Sequence, residues 1–226
     1  MEKYVIIVAG GTGVRMGSKI PKQFIMLDDR PVLMHSICAF ADAGIRNIIV
    51  AIPIAFKDYW MELSDTYSCV PHTIVDGGLF RSQSVKNGLL AINGSEALVA
   101  VHDGVRPFIS TELISQAYEI AESTGSAVPY MDLRDSLRQI EGNDNISVER
   151  DRYKIVQTPQ VFTLSILKRA YSNREFPSYT DDATMVDQLK VPITLFKGME
   201  ENIKITTPLD MLMAESILKL KKQIAG

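Results

Sequence analysis

Cysteine and histidine are scarce in this chain: Cys38, Cys69, His35, His72 and His102 are the whole supply among 226 residues. None stands at a spacing that a zinc site or a redox pair requires, so neither framework is available and a reducing, cytoplasmic setting is expected. Surplus charge is lacking as well. A net charge of −3 excludes the basic footprint of a general nucleic-acid binder, so any anionic ligand has to be held by a few local cations. Long apolar runs are missing too. Near the start one lysine precedes a short run from Tyr4 to Ala9, too short for the core of a signal peptide. No run approaches the ~20 apolar residues of a membrane span, and no membrane association is expected. What remains is the composition of an ordinary folded chain, 46% hydrophobic and 23% charged. Its length suits one full-sized domain, expected to run over 1–226.

The run Tyr4 to Ala9 is rich in β-branched residues and is closed by glycines, the pattern of a strand buried on both faces of a parallel sheet. Pro31 to Phe40 then carries apolar groups at helical spacing behind a proline suited to the first turn, and Asn47 to Ile52 returns to strand character. The alternation continues with helix Lys57–Thr66, strand His72–Val75, helix Arg81–Ile92, strand Ala97–Val101, helix Thr111–Ser123 and strand Ser126–Tyr130. Such alternation predicts an α/β fold with helices on both faces of a mostly parallel sheet. From about 133 to 155 the rhythm breaks around the turn signal Glu141 to Asn145, which predicts a projecting β-hairpin arm. A lone hairpin is marginal in water, so the arm is expected to pack on a second subunit and make a homodimer. Helices at Leu164–Ser172 and Asp182–Gln188, a strand at Val191–Phe196 and a last helix from Thr207-Pro208 complete the pattern.

Gly10-Gly-Thr-Gly-Val-Arg-Met-Gly17 follows the first strand directly, where a parallel strand's carboxyl end opens onto a ligand crevice. Glycines let backbone N–H groups approach an anion closely, and Arg15 and Lys22 add a forked and a point positive charge. Phosphate is the expected ligand, although a plain turn would account for the glycines too. Two familiar phosphate loops are excluded. The dinucleotide fingerprint needs a glycine where Met16 stands and a running helix where Pro21 stands, and no glycine-lysine-serine or threonine triplet closes an ATPase-type loop.

The stretch Gly10 to Phe24, ending Pro-Lys-Gln-Phe, resembles the signature loop of sugar-phosphate nucleotidyltransferases, and within them the cytidylyltransferases that make CDP-sugar alcohols. The resemblance is closest to the family acting on 2-C-methyl-D-erythritol 4-phosphate in the non-mevalonate isoprenoid route. It extends through Gly77-Gly78 with Arg81 and Ser84, Val101 to Pro107, Asp135-Ser136, Thr158-Pro-Gln160, Thr180 to Ala183 and Asn202 to Thr206. It implies a Rossmann-like fold, and the transfer of CMP from CTP to a sugar-alcohol phosphate with Mg²⁺ as cofactor. Carried over by position, it makes Arg15, Lys22 and Lys204 the catalytic cations. Ala9, Gly10, Gly11, Thr12, Gly13, Gly77, Gly78, Ser84 and Asp103 become CTP-binding, with Asp103 also the metal ligand. Gly104, Arg106, Asp135, Ser136 and Arg150 become substrate-binding, Arg150 reaching across from a partner's arm. Ser136 stands where threonine is usual and Asp187 where glutamate is common.

Plainer accounts stay open for several of these. Lys204 lies between Ile203 and Ile205, so alternation turns it away from the apolar face, as for any solvent-facing lysine. Asp103 could cap a loop, and Ser84 could be a polar residue on an early helical turn. Arg150 could be a solvated charge. Thr158, Thr180 and Asp182 could serve turns or caps. A ribitol 5-phosphate cytidylyltransferase shares the loop, but the spacing from Met16 to Pro21 and the Thr180 to Ala183 pattern favour the erythritol family. A non-catalytic nucleotide-binding module has little need for Arg15, Lys22, Asp103 and Lys204 together. A nicotinamide-dependent oxidoreductase would need an acidic residue where Ile52-Pro53 ends the second strand.

Overall fold

The computed structural model describes residues 1–10, 20–172, 179 and 181–225. In chain order its elements begin with β1 (Glu2–Val8), β2 (Met26–Leu27), β3 (Arg30–Pro31), α1 (Val32–Asp42), β4 (Asn47–Ile52), α2 (Lys57–Thr66), β5 (Thr73–Asp76) and α3 (Arg81–Leu90). They continue with β6 (Ala97–Asp103), α4 (Thr111–Thr124), β7 (Ser126–Asp132), β8 (Leu137–Glu141), β9 (Asp144–Val148), β10 (Lys154–Val156) and β11 (Gln160–Thr163). The last are α5 (Leu164–Tyr171), α6 (Asp182–Asp187), β12 (Leu195–Lys197) and α7 (Pro208–Ala225).

The main sheet has the order β10-β7-β11-β6-β1-β4-β5, with β12 added beside β7. The pairs β1·β4, β1·β6, β4·β5 and β12·β7 are parallel, so the expected α/β architecture is present. Alternate residues of β1 serve opposite faces: Val5 and Ile7 pack with α1 and α4, and Ile6 and Val8 with α3, α5 and α6. A strand buried on both sides has to be apolar throughout, which is why the run Tyr4 to Ala9 reads as it does. Because β4 lies on one side of β1 and β6 on the other, the chain changes direction at β1. The crevice outside the carboxyl ends of β1 and β6 is therefore the default ligand site.

Three expectations need correction. Pro31 precedes α1 as its N-cap rather than occupying its first turn. The strand expected over 191–196 shrinks to β12, because Pro192 has no N–H for a ladder; the Ser126 hydroxyl instead donates to the Pro192 carbonyl at 3.1 Å and accepts from Thr194 N–H at 3.0 Å. Between the arm and α5, β11 lies antiparallel between β6 and β7, an element that the chain's pattern does not announce. The hairpin is present but narrower than 133–155. Only β8 and β9 pair with each other, turning at Gly142 (φ +62°), and β10 returns to the main sheet against β7. The last helix starts as expected: Thr207 Oγ1 accepts from Asp210 N–H at 3.3 Å, while Asp210 Oδ2 accepts from Thr207 N–H at 2.8 Å, a reciprocal cap.

Candidate functional site

Lys22 is delivered to the site by its neighbours. Residues Lys22–Phe24 form one 3₁₀ turn, closed by Phe24 N–H donating to the Pro21 carbonyl at 2.9 Å. Phe24 is buried against α2, stacked on Trp60 at 5.9 Å and edge-on to Tyr59 at 5.6 Å. Each such aromatic pair is worth ~0.5–1.5 kcal/mol beyond the area it buries. Gln23 Nε2 donates to the Ala9 carbonyl at 2.7 Å, which ties the turn to the end of β1. With Gln23 and Phe24 anchored, Lys22 lines a cleft of about 230 Å³ together with Ala9, Gly10, Gly78, Ser84, Asp103 and Lys204. The structure thus brings seven of the expected site residues to one place. Gly11, Thr12, Gly13 and Arg15 lie outside the described residues, as does Thr180.

Asp103 ends β6 and gathers the charge. Its Oδ1 accepts from Arg81 Nε at 3.2 Å, and its Oδ2 lies 2.9 Å from Lys204 Nζ. Arg106 Nε stands 3.5 Å from the same Oδ2, near enough for attraction but without a hydrogen bond. Burial raises the pKa of this carboxyl, but Arg81, Lys204 and Arg106 outweigh it and hold Asp103 well below the usual carboxylate range. Burial likewise works against the Arg81 charge, yet Asp182 and Asp103 raise its pKa well above the ordinary value. Burial dominates at Arg106 and lowers its pKa. Lys204 reaches the cleft because Ile203 and Ile205 pack beneath α7, with Ile205 N–H donating to the Val105 carbonyl at 2.9 Å.

The glycines are needed for close approach. A Cβ on Gly78 would stand 2.4 Å from Gln83 Cβ, and one on Gly104 would stand 2.7 Å from Leu33 Cδ1 and 3.2 Å from the Val8 carbonyl oxygen. Gly77 donates to the Ile52 carbonyl at 2.7 Å, just outside the cleft lining. Ser84 is engaged locally: its hydroxyl accepts from Gly78 N–H at 3.0 Å and donates to the Phe80 carbonyl at 3.3 Å, shaping the loop ahead of α3. Asp135, Ser136 and Arg150 are not brought to this cleft. The first two are exposed between β7 and β8, and Arg150 is half-exposed, donating to the Arg134 carbonyl at 2.6 Å. Asp187 is exposed at the end of α6.

Other residues in the network carry no obvious role in the chain's pattern. Asp182 is fully buried, accepting from Arg81 Nη2 at 2.7 Å and from the Tyr171 hydroxyl at 2.6 Å. Asn202 Nδ2 donates to the Thr158 carbonyl at 2.8 Å while its own carbonyl accepts from Arg106 Nη1 at 2.7 Å. The Thr158 hydroxyl accepts from Asp103 N–H at 3.0 Å and lies 3.2 Å from His102 Nδ1. Position in a shared motif was the only signal available for Arg81 and Asp182.

His102 gives the fold beneath the site a pH dependence. Burial pushes its pKa down to about 4 against the opposing pull of Asp103, so the folded protein holds the neutral ring. Unfolded histidine near 6.5 protonates first, so the stability is fully present above pH 6.5 and is lost as pH falls toward 4. A depression of this order is worth up to about 3 kcal/mol. Thermal melts from pH 8 to pH 4 should show His102→Gln with a flatter profile than wild type in that window, and parallel profiles would remove His102 as the cause.

Residues 3–220 match the family model of 2-C-methyl-D-erythritol 4-phosphate cytidylyltransferase. A relative of that name from Bacteroides thetaiotaomicron is 45% identical over 221 residues, covering 96% of this chain and 100% of its own. The solved 2-C-methyl-D-erythritol 4-phosphate cytidylyltransferase of Thermus thermophilus superposes with a TM-score of 0.78 at 32% identity, over 97% of this chain and 100% of that one. Its counterpart from Francisella tularensis gives 0.80 at 29% identity, over 96% and 99%.

Proposed function

This chain belongs to the 2-C-methyl-D-erythritol 4-phosphate cytidylyltransferase family, and we propose that the cleft beyond β1 and β6 is where it works. The protein transfers CMP from CTP to 2-C-methyl-D-erythritol 4-phosphate, releasing pyrophosphate and forming 4-diphosphocytidyl-2-C-methyl-D-erythritol. The observation that carries the site is the cluster of Arg81, Arg106 and Lys204 around Asp103, with Lys22 lining the same cleft.

An oxygen of the sugar-alcohol phosphate attacks the α-phosphorus of CTP. The bond from that phosphorus to the bridging oxygen breaks, and its electron pair leaves with pyrophosphate. A phosphate monoester has a second pKa of ~6, so the nucleophile is already ionised near pH 7 and no general base is needed. The work left is charge neutralisation. Lys22 and Lys204 take it, with Arg106 beside the incoming phosphate, all fixed before the reaction by the contacts described. Arg15 is assigned to the same task by its motif position.

Asp103 suits a Mg²⁺ ion shared with substrate phosphates. The carboxylate is held ionised at the cleft, and among the described residues no group of three acidic, histidine or cysteine side chains could cage an ion alone. Mg²⁺ prefers that arrangement, one carboxylate plus phosphate oxygens and water, and when bound it supplies further positive charge to phosphoryl oxygens. The decisive assay is pyrophosphate release from CTP with methylerythritol phosphate or ribitol phosphate. Release with the first alone is expected; none with either would refute the activity, and release only with ribitol phosphate would reassign the substrate.

The β8–β9 hairpin is read as the arm of a homodimer built from a single domain spanning 1–226. Ile140 is 71% exposed and Ile146 46% exposed on it, apolar surface that a second subunit would cover. Asp135, Ser136 and Arg150 lie at its base, and Arg150 would complete the partner's phosphate site. A hydrogen bond to a charged group is worth ~1.5–3 kcal/mol. Arg150→Ala should therefore raise KM for the sugar-alcohol phosphate about tenfold or more, with KM for CTP nearly unmoved. Equal changes in both, or a monomer by light scattering, would sink this reading.

A further inference from the structure

We propose that Asp182 is a positioning residue for this reaction, acting through Arg81 on Asp103; the inference rests on the role given to Asp103 above. Asp182 opens α6 with no solvent exposure. Its two oxygens are taken by Arg81 Nη2 at 2.7 Å and the Tyr171 hydroxyl at 2.6 Å, and its backbone N–H donates to Gln160 Oε1 at 2.9 Å. A carboxylate enclosed in this way touches no substrate. Its partner does face the cleft: the Arg81 side chain is 17% exposed, and its Nε donates to Asp103 Oδ1 at 3.2 Å. A guanidinium is a rigid planar fork, so pinning Nη2 on Asp182 sets where Nε points. That in turn sets the plane of the Asp103 carboxylate.

Charge makes the same point. Three cations surround Asp103, and Asp182 balances one of them. With Asp182 neutral, Arg81 would be compensated by Asp103 alone, drawing that carboxylate toward α3 and away from Lys204. A tether between α5 and α6 would not need the charge, because an asparagine in the same shape could accept from Arg81 Nη2 through its amide oxygen and donate its amide N–H to the Tyr171 hydroxyl oxygen. The charged form is what the positioning role requires.

The test is steady-state kinetics with CTP and methylerythritol phosphate, alongside thermal melts. Asp182→Asn should lose about 10- to 100-fold in kcat with KM for CTP moved by less than about threefold, as for a residue that touches no substrate itself. Asp182→Glu should recover most of that loss by restoring the carboxylate. Tyr171→Phe breaks the tether without touching the charge and should stay within about threefold of wild-type kcat. Arg81→Lys keeps its charge but cannot span two carboxylates, and should lose kcat by a similar factor even if Asp182→Asn fails to fold. In the Arg81→Lys background, Asp182→Asn should add less than about threefold. Wild-type kcat in folded Asp182→Asn or in Arg81→Lys, or an equal loss in Tyr171→Phe, overturns the proposal. Asp103→Asn separates the two levels. If it retains turnover, the role of Asp103 falls; if it loses turnover while Asp182→Asn and Arg81→Lys do not, only the role of Asp182 falls.

Discussion

Lys204→Ala and Lys22→Ala are each expected to lower turnover by ~10²–10³-fold, the usual effect of removing one pre-organised contact to charge that builds up in a transition state. Both should still fold. The Lys204 side chain is 38% exposed, and its segment is held by Ile203, Ile205 and the bond from Ile205 N–H to the Val105 carbonyl, none of which the truncation touches. Lys22 is more enclosed at 8% exposure, but its turn hangs on Phe24 and on the bond from Gln23 to Ala9. Loss of the lysine stem removes some packing and a modest share of stability. The effect should appear in kcat more than in KM, because charge on the phosphoryl oxygens grows most as the bond to pyrophosphate breaks. Circular dichroism and initial rates decide it, and near-normal turnover in either variant would remove that lysine from the mechanism.

These lysines also mark how far the bare chain can be read. The local elements were legible: Asn47–Ile52 and Lys57–Thr66 form over the residues assigned to them, the first because its β-branched apolar run suits a strand buried on both faces, the second because its pattern is long enough to carry a helical period. β11 was not, since its four residues run into the apolar start of α5 without a turn residue between them. The arm was visible from its turn, Glu141 to Asn145, yet its limits were overdrawn because Lys154–Val156 pairs with a strand already in the sheet. That pairing is non-local and leaves no trace in the arm's own residues.

The site divides in the same way. Lys22, Asp103 and Lys204 could be placed by motif, and the fold does bring them to one cleft. The partners that set their geometry, Arg81 and Asp182, stand in shared motifs too, but no motif attaches their contacts to them. Arg81 meets Asp103 across 22 residues and Asp182 across 101, and nothing in the intervening pattern records either contact. Asp182 was open to a cap reading because charged residues are rarely buried unless paired. Its neighbour Asp181 is the actual N-cap of α6, accepting from Thr184 N–H at 3.2 Å. Burial of Asp182 follows from Arg81 and Tyr171, which the chain brings to it only after folding.

Asp103→Asn is expected to abolish detectable turnover and to lower stability together, which separates it from the lysine variants. In the wild type Arg81, Arg106 and Lys204 share Asp103, and Arg81 has Asp182 besides. An amide at position 103 leaves Arg106 and Lys204 with no carboxylate in contact among the described residues. Breaking a buried ion pair from one side costs about 3–5 kcal/mol, and the partial exposure of Lys204 puts the loss toward the lower end. In a chain of this length each kcal/mol moves the melting temperature by roughly 2–4 °C, so a fall of about 6 °C or more should be seen near pH 7. The pH dependence has a definite sign. The folded pKa of Asp103 is depressed, so its contribution is complete above the unfolded value near 4 and drains away as pH falls below it. Wild type and variant should therefore differ most at neutral pH and converge in acid. A gap that stays constant from pH 7 to pH 3, or melting within about 2 °C of wild type at pH 7, would mean that the three cations are balanced by something other than Asp103.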